Sequence, residues 1–254
     1  MVGKDAYWNE DRRFYLKAVI VIYILWAVAF EAVGYFAARL PTHDPTLPLD
    51  TRIPLMQDFI WPYFLCYIFP FLPLFCVRDW HRANTGLLAV IFSSLLAFVI
   101  YLAYPVAFQR PEIGPGLSGK LLSFQYAADF QPGANKLPSL HVAIAWIVYF
   151  ICHRQGLSPI AKFILFICAA IITISTLLVK QHIMLDVAAG CLLAVLAWVA
   201  TKYVYSLLWD GKRGAPDMFL YALKKFIPAL AVICAAILAL VWFQRGNAGM
   251  ERIG

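Results

Sequence analysis

The chain has 254 residues, 63% of them hydrophobic and 14% charged, where soluble globular chains carry about 25% charge. That balance excludes an ordinary water-soluble domain and points to a protein that faces lipid over most of its length. The net charge of +7 reads as membrane topology and contact with anionic membrane lipids, and no basic, aromatic-interleaved module argues for nucleic acid.

The N-terminal stretch MVGKDAYWNEDRRFYLK is charged and runs straight into an apolar helix. It has no short apolar core followed by a small-residue cleavage site, so no removed signal peptide is expected. Seven segments then approach the roughly 20 apolar residues that a spanning helix needs. They are 15–38, 59–77, 86–104, 138–154, 159–180, 184–208 and 219–243. The fourth is short, and the last is interrupted by Lys224 and Lys225. Backbone groups cannot go unpaired in lipid, and runs this long and continuously apolar pair them as helices. The expected fold is an all-α polytopic membrane helix bundle, a six-helix core plus a seventh C-terminal helix, in one integral membrane domain over 1–254. No oligomeric state can be read from the pattern. Cys66, Cys76, Cys152, Cys168, Cys191 and Cys234 all lie inside apolar runs and read as buried thiols, with neither a disulfide framework nor a zinc site.

Two linkers are long. Residues 39–58 carry Pro41, Pro45, Pro48 and Pro54 and cannot form one regular helix. Residues 105–137 carry Pro111, Gly114, Pro115, Gly116, Gly119, Pro132 and Gly133. A connection that long in a compact fold is a candidate lid or substrate-facing wall. Thirteen of the 21 Lys and Arg residues, among them Arg12, Arg13, Arg78, Arg82, Arg154, Lys162, Lys212 and Arg213, fall on the N-terminal side of the expected spans. The positive-inside rule then puts the N-terminus in the cytoplasm.

With that threading, His141 at the start of segment four and His182 after segment five reach the same, extracytoplasmic face. Segment three delivers Arg110 to that face too. Pro138 suits the first turn of a helix and Ser139 is a capping type. A helix start offers unpaired N–H groups and a positive dipole end, both suited to phosphate. His182 and Asp186 are four apart, a spacing that brings them together on a helix face. A carboxylate on one ring nitrogen fixes the tautomer and frees the other nitrogen to attack. A second histidine can protonate a leaving oxygen, and the Arg110 fork suits phosphoryl oxygens. Each residue alone is an ordinary cap or interfacial contact; it is their convergence that marks a polar site.

PSLH at 138–141, STLLVKQHIMLD at 175–186 and Arg110–Pro111 together resemble the type 2 phosphatidic acid phosphatase superfamily over about residues 86–206. Its third motif is serine–arginine, five residues, histidine, three residues, aspartate, and the spacing from Ser175 to His182 and Asp186 matches it in full. Three positions depart. The family's leading lysine is Ala103 here, its third-motif arginine is Thr176, and its second-motif glycine is Leu140. The Pro–Ser–Leu–His form and the Ser–Thr start look like the branch that contains inositol phosphorylceramide synthase, which transfers a phosphorylated headgroup to a lipid alcohol.

The resemblance implies a phosphatase-like helical core and a phosphohistidine mechanism with neither metal nor cofactor. His182 would attack phosphorus, Asp186 would orient it, and His141 would protonate the leaving group and then activate the acceptor. Arg110 and Ser139 would hold the phosphoryl oxygens of a phosphorylated lipid. Lys180 and Lys136, by nearness in the sequence, are candidates for the missing positive charge. Water as acceptor makes a phosphatase, an alcohol a headgroup phosphotransferase. Two other readings stay open: a transporter or channel using Glu31 and the outer histidines, and a non-catalytic lipid-binding relative.

Overall fold

A computed structural model describes residues 4–153 and 156–250, with side chains described over 11–153 and 156–239. Arg154 and Arg252, both used in the charge count, lie outside the described residues. Seven helices of eight or more residues follow one another among the described residues: α1 Lys4–Ala37, α2 Trp80–Ala103, α3 Leu117–Ala128, α4 Leu140–Cys152, α5 Pro159–Leu178, α6 Met184–Leu208 and α7 Ala215–Met250. Their starts follow local chemistry. Asp79 caps α2 by accepting from Arg82 N at 3.1 Å, and Ser158 caps α5 by accepting from Ala161 N at 3.2 Å. Pro159 takes the first helical position of α5, where its missing N–H costs nothing.

Five of these helices are long and apolar enough to cross a bilayer: Asp11–Ala37, Trp80–Ala103, Pro159–Leu178, Met184–Leu208 and Ala215–Ala239. The chain is a multi-pass membrane protein with an all-α fold. Its centre is α4, which packs against α2, α5 and α6, while α7 and α1 lie on α2. In lipid, helices associate through close packing rather than through the hydrophobic effect, so small residues gather at their contacts. Ala83, Ala89 and Ala97 on α2, Ala143 and Ala145 on α4, and Ala194 and Ala197 on α6 are all buried in that core. Gly86 extends the series: a Cβ there would stand 2.1 Å from Ile151 Cγ1.

Two expectations are corrected. Segment 59–77 is not one spanning helix. It is a chain of single helical turns over 57–59, 60–63, 65–68, 69–71 and 73–76. Pro62, Pro70 and Pro73 lie within it, and each removes a backbone donor and crowds the preceding turn. The fourth segment does not start at Pro138. Ser139 is the N-cap of α4, and Pro138 lies before it, outside the helix. The last segment, in contrast, runs as one helix through Lys224, Lys225 and Pro228.

The two long linkers form one cap. His43 N donates to Pro105 O at 2.9 Å, Ala107 N to His43 O at 3.1 Å, and Val106 N to Ala134 O at 3.1 Å. Helix α3 is held against the broken segment by Trp61 Nε1 donating to Ser118 Oγ at 3.2 Å and Tyr67 Oη donating to Gln125 Oε1 at 3.0 Å. The 105–137 connection is thus a folded wall over the start of α4.

Candidate active site

The two histidines come from helix entrances that are locked together. Ser139 N donates to Asp186 O at 3.0 Å, which joins the start of α4 to the first turn of α6. One turn further along, Gly190 permits the close approach: a Cβ there would lie 2.6 Å from Ser139 O and 3.1 Å from Val142 Cβ. Before α6, the chain leaves α5 through a tight reversal. Gln181 N and His182 N both donate to Thr176 O, at 3.0 and 3.1 Å. Lys180 sits in that reversal with φ of 51°, a left-handed conformation few non-glycine residues adopt.

These constraints place His141 and His182 edge to edge. His141 Nδ1 is 3.2 Å from His182 Nε2, and His182 Nδ1 is 3.2 Å from Asp186 Oδ2. The same carboxylate oxygen accepts from Ile183 N at 3.1 Å. His182 therefore precedes α6, and Asp186, in its first turn, reaches back to it. On the far side of His141, Nε2 is 3.0 Å from Tyr63 Oη. A hydroxyl both donates and accepts, so the chain Tyr63–His141–His182–Asp186 is satisfied by neutral rings with Nδ1–H on each. Asp186 is fully buried and His182 4% exposed. Burial lowers the affinity of His182 for a second proton, against the opposing pull of Asp186, which leaves a neutral imidazole whose Nε2 lone pair is the reactive one.

Beside this chain lies a cationic cluster. Arg110 donates to Asp129 Oδ2 and, at 2.8 Å, to Gln181 Oε1. Lys136 Nζ donates to the same two atoms, each at 2.9 Å. The Arg110 guanidinium also lies 4.1 Å over the Tyr126 ring, and Tyr126 Oη is anchored on Val179 O at 2.6 Å. Lys136 is 3% exposed, and burial pulls its ammonium below the usual lysine range while Asp129 resists. Burial works against ionisation of Asp129 as well, but Lys136 and Arg110 outweigh it and hold the carboxyl at about 2. Asp129, Lys136, Gln181, His141 and His182 line one small cavity of about 270 Å³.

Of the residues expected at the site, Arg110, Lys136, His141, His182 and Asp186 come together. Ser139 and Lys180 do not. The Ser139 hydroxyl is fully buried as the cap of α4, accepting from Val142 N at 3.4 Å, and lines no part of the cavity. Lys180 Nζ donates to Asp50 O at 3.0 Å and Ile53 O at 2.5 Å. It ties down the 39–58 linker, whose Asp50 carboxylate in turn accepts from Met184 N at 2.7 Å at the start of α6. Thr176 stands at the position of the family's arginine; its hydroxyl turns back to Thr173 O at 2.8 Å. Glu31, which the ion-path reading used, is exposed on α1 and lines neither of the two cavities described here. Tyr63, Asp129 and Gln181 belong to the site without any motif to announce them.

Two histidines, a carboxylate and two cations lie together at the head of a membrane helix bundle. The family model of the PAP2 superfamily matches residues 51–200, more than half of the chain, and the protein belongs to that superfamily. An uncharacterized protein of Methanocaldococcus jannaschii is 26% identical over 132 residues, 52% of this chain and 53% of that protein. The chain thus spans about half the length of the curated relative it matches. No solved structure matches the chain. Members of the superfamily are phosphatases and phosphotransferases.

Proposed function

We propose that the protein is an integral membrane lipid-phosphate phosphatase that works through a phosphohistidine on His182, on the extracytoplasmic side of the membrane. What carries the reading is the unbroken line Tyr63–His141–His182–Asp186 beside the Arg110–Lys136 pair. The phosphoryl group enters between the two rings, in place of their direct contact. His182 Nε2 attacks phosphorus, and the bond to the lipid oxygen breaks. His141, which takes a second proton at Nε2 as the anionic phosphoryl group enters, gives its Nδ1 proton to that oxygen, and Asp186 stabilises the charge on the phosphorylated ring. Water then attacks phosphorus, His141 Nδ1 takes its proton, and the N–P electrons return to His182. Arg110 and Lys136 hold the phosphoryl oxygens, in place of the family's missing lysine and arginine.

One observation favours a second reading, a headgroup phosphotransferase. Asp129 offsets part of the charge of Arg110 and Lys136, a balance that suits a phosphodiester monoanion at least as well as a monoester dianion. In that reading an alcohol takes the place of water.

The test uses purified protein in detergent with a long-chain lipid phosphate labelled in its phosphoryl group. Free phosphate is expected, together with acid-labile label on the protein. His182→Ala should lose both, and Asp186→Asn should lose roughly 10⁴-fold in rate, as removal of an orienting carboxylate does. Phosphate appearing only when a lipid alcohol is present, and then on the alcohol, selects the transferase. Wild-type turnover in a folded His182→Ala protein removes the proposal.

A further inference from the structure

A second cavity, of about 1110 Å³ counting its open mouth, lies within the bundle and shares Phe30, Leu140 and His141 with the lining of the small polar cavity. Each of three helices gives it one row of side chains. Helix α4 contributes His141, Ile144, Val148 and Ile151; α1 contributes Phe30, Trp26, Tyr23, Val19 and Tyr15. Helix α2 contributes Val90, Leu87, Ala83 and Trp80. These three- and four-residue steps are the single faces of helices, and all three rows run away from the histidines. Along α1, from Phe30 to Tyr15 at the floor, the depth is about 22 Å at 1.5 Å per helical residue. The broken segment closes the side with Cys66, Tyr67, Pro70 and Leu74.

The far end is built rather than frayed. The Tyr15 and Trp80 rings stack with centroids 4.3 Å apart and planes 3° from parallel. Tyr15 Oη donates to Asn84 Oδ1 at 2.5 Å, and Asn84 Nδ2 donates to Tyr205 Oη and to Ala215 O, both at 2.9 Å. Four separate parts of the chain therefore fix that floor in place.

We infer that this chamber takes a hydrocarbon chain of the lipid whose phosphate lies at His182, and that the Tyr15–Trp80 floor sets the chain length the enzyme prefers. The inference rests on the lipid-phosphate reading above and adds to it a limit on the length of the lipid chain. That His141 lines both cavities supports this occupant. The polar cavity holds the anionic head, and the apolar one lies against the same ring. A zigzag of carbon–carbon bonds about 1.5 Å long advances roughly 1.25 Å per bond, so a depth of about 22 Å takes about eighteen methylenes.

The experiment has two arms on the full-length protein. In the first, kcat/KM for phosphate release is measured on single-chain alkyl phosphates of increasing length. It should climb with each methylene and level off once the chain meets the floor. Leu87→Trp and Ala83→Leu, which fill the deep half, should each lower the long-to-short ratio of kcat/KM by about tenfold, since a misfit chain loses on the order of 1–3 kcal/mol. Equal losses at all lengths in both variants, or a wild-type profile flat in length, would overturn the proposal. The second arm needs no turnover: hexadecyl phosphate carrying a diazirine at its chain end is photolysed on the protein. Adducts at Tyr15, Trp80 or Ala83 support the chamber even if no phosphate is released, in which case the phosphatase reading alone falls. Adducts confined to outward-facing residues such as Ile164 and Val199 remove the chamber even if phosphate is released.

Discussion

Tyr63 Oη stands 3.0 Å from His141 Nε2, on the ring edge opposite the one that meets His182. Tyr63 is fully buried, so His141 is held between two partners and only its Nδ1 faces the phosphoryl position. Tyr63 thus acts as a positioning residue through the proton on His141. Replacing it with Phe keeps the ring and deletes one hydrogen bond of about 0.5–1.5 kcal/mol. Tyr63→Phe is expected to lower kcat roughly tenfold with little change in KM, because the loss concerns proton transfer and not substrate binding. It should also slow turnover of poor leaving groups more than good ones, since a good leaving group needs less of the His141 proton. Equal effects on both would reduce Tyr63 to a packing role.

The pH dependence follows from His182. Burial lowers its pKa below the ordinary 6.5, and Asp186 partly opposes that. The attacking form is neutral, so activity is retained below pH 6.5 and is lost as pH falls through the lowered pKa. Asp186→Asn removes the opposing influence, and the acid limb of its residual activity should move further down in pH. A kcat/KM profile of wild type and variant measures both. An acid limb that moves up in the variant contradicts the assigned pairing.

Lys136 and Lys180, equal candidates by sequence, separate by structure. Lys136→Met removes a buried cation from the phosphoryl site and should lower kcat/KM by about 10²-fold. Lys180→Met removes an ammonium that holds the carbonyls of Asp50 and Ile53. It should leave turnover within a few-fold of wild type and lower stability by about 1 kcal/mol or less. Steady-state kinetics beside thermal unfolding in the same detergent distinguish the two, and the reverse pattern would exchange their roles.

Why one lysine and not the other was illegible is a matter of loop packing. His141, His182 and Asp186 sit in short local patterns at helix entrances, where spacing alone brings them close. Arg110, Lys136, Asp129 and Gln181 meet only because linker 105–137 folds back over α4, and no local pattern encodes that path. Tyr63 was hidden differently. Its segment is apolar enough to read as one span, and hydropathy outweighed the three prolines that break it. The bundle itself was plain from run length, because lipid leaves a long apolar stretch little choice but helix. The family's missing lysine and arginine were visible as Ala103 and Thr176. Only the fold shows that Thr176 turns into its own helix and that the Lys136 ammonium lies beside Gln181 and Asp129.

The side of the membrane on which the site works rests on charge, and labelling tests it directly. Arg78, Lys212 and Arg213 lie in short connections, and Arg82, Lys162 and Lys202 within helices, all at or near the ends of α2, α5, α6 and α7 remote from the histidines. The cap formed by residues 39–58 and 105–137 lies at the histidine end. Lys120 on α3 and Lys212 before α7 are both exposed, so a cysteine at either position is reachable without disturbing the core. In a background lacking the native cysteines, a cysteine at position 120 is expected to react with an impermeant thiol reagent on intact cells or spheroplasts. A cysteine at position 212 should react only after lysis. The positive-inside rule demands this order, since the excess of Lys and Arg marks the cytoplasmic side. The opposite order would place the histidines in the cytoplasm, and the lipid phosphate would then have to be drawn from the inner leaflet.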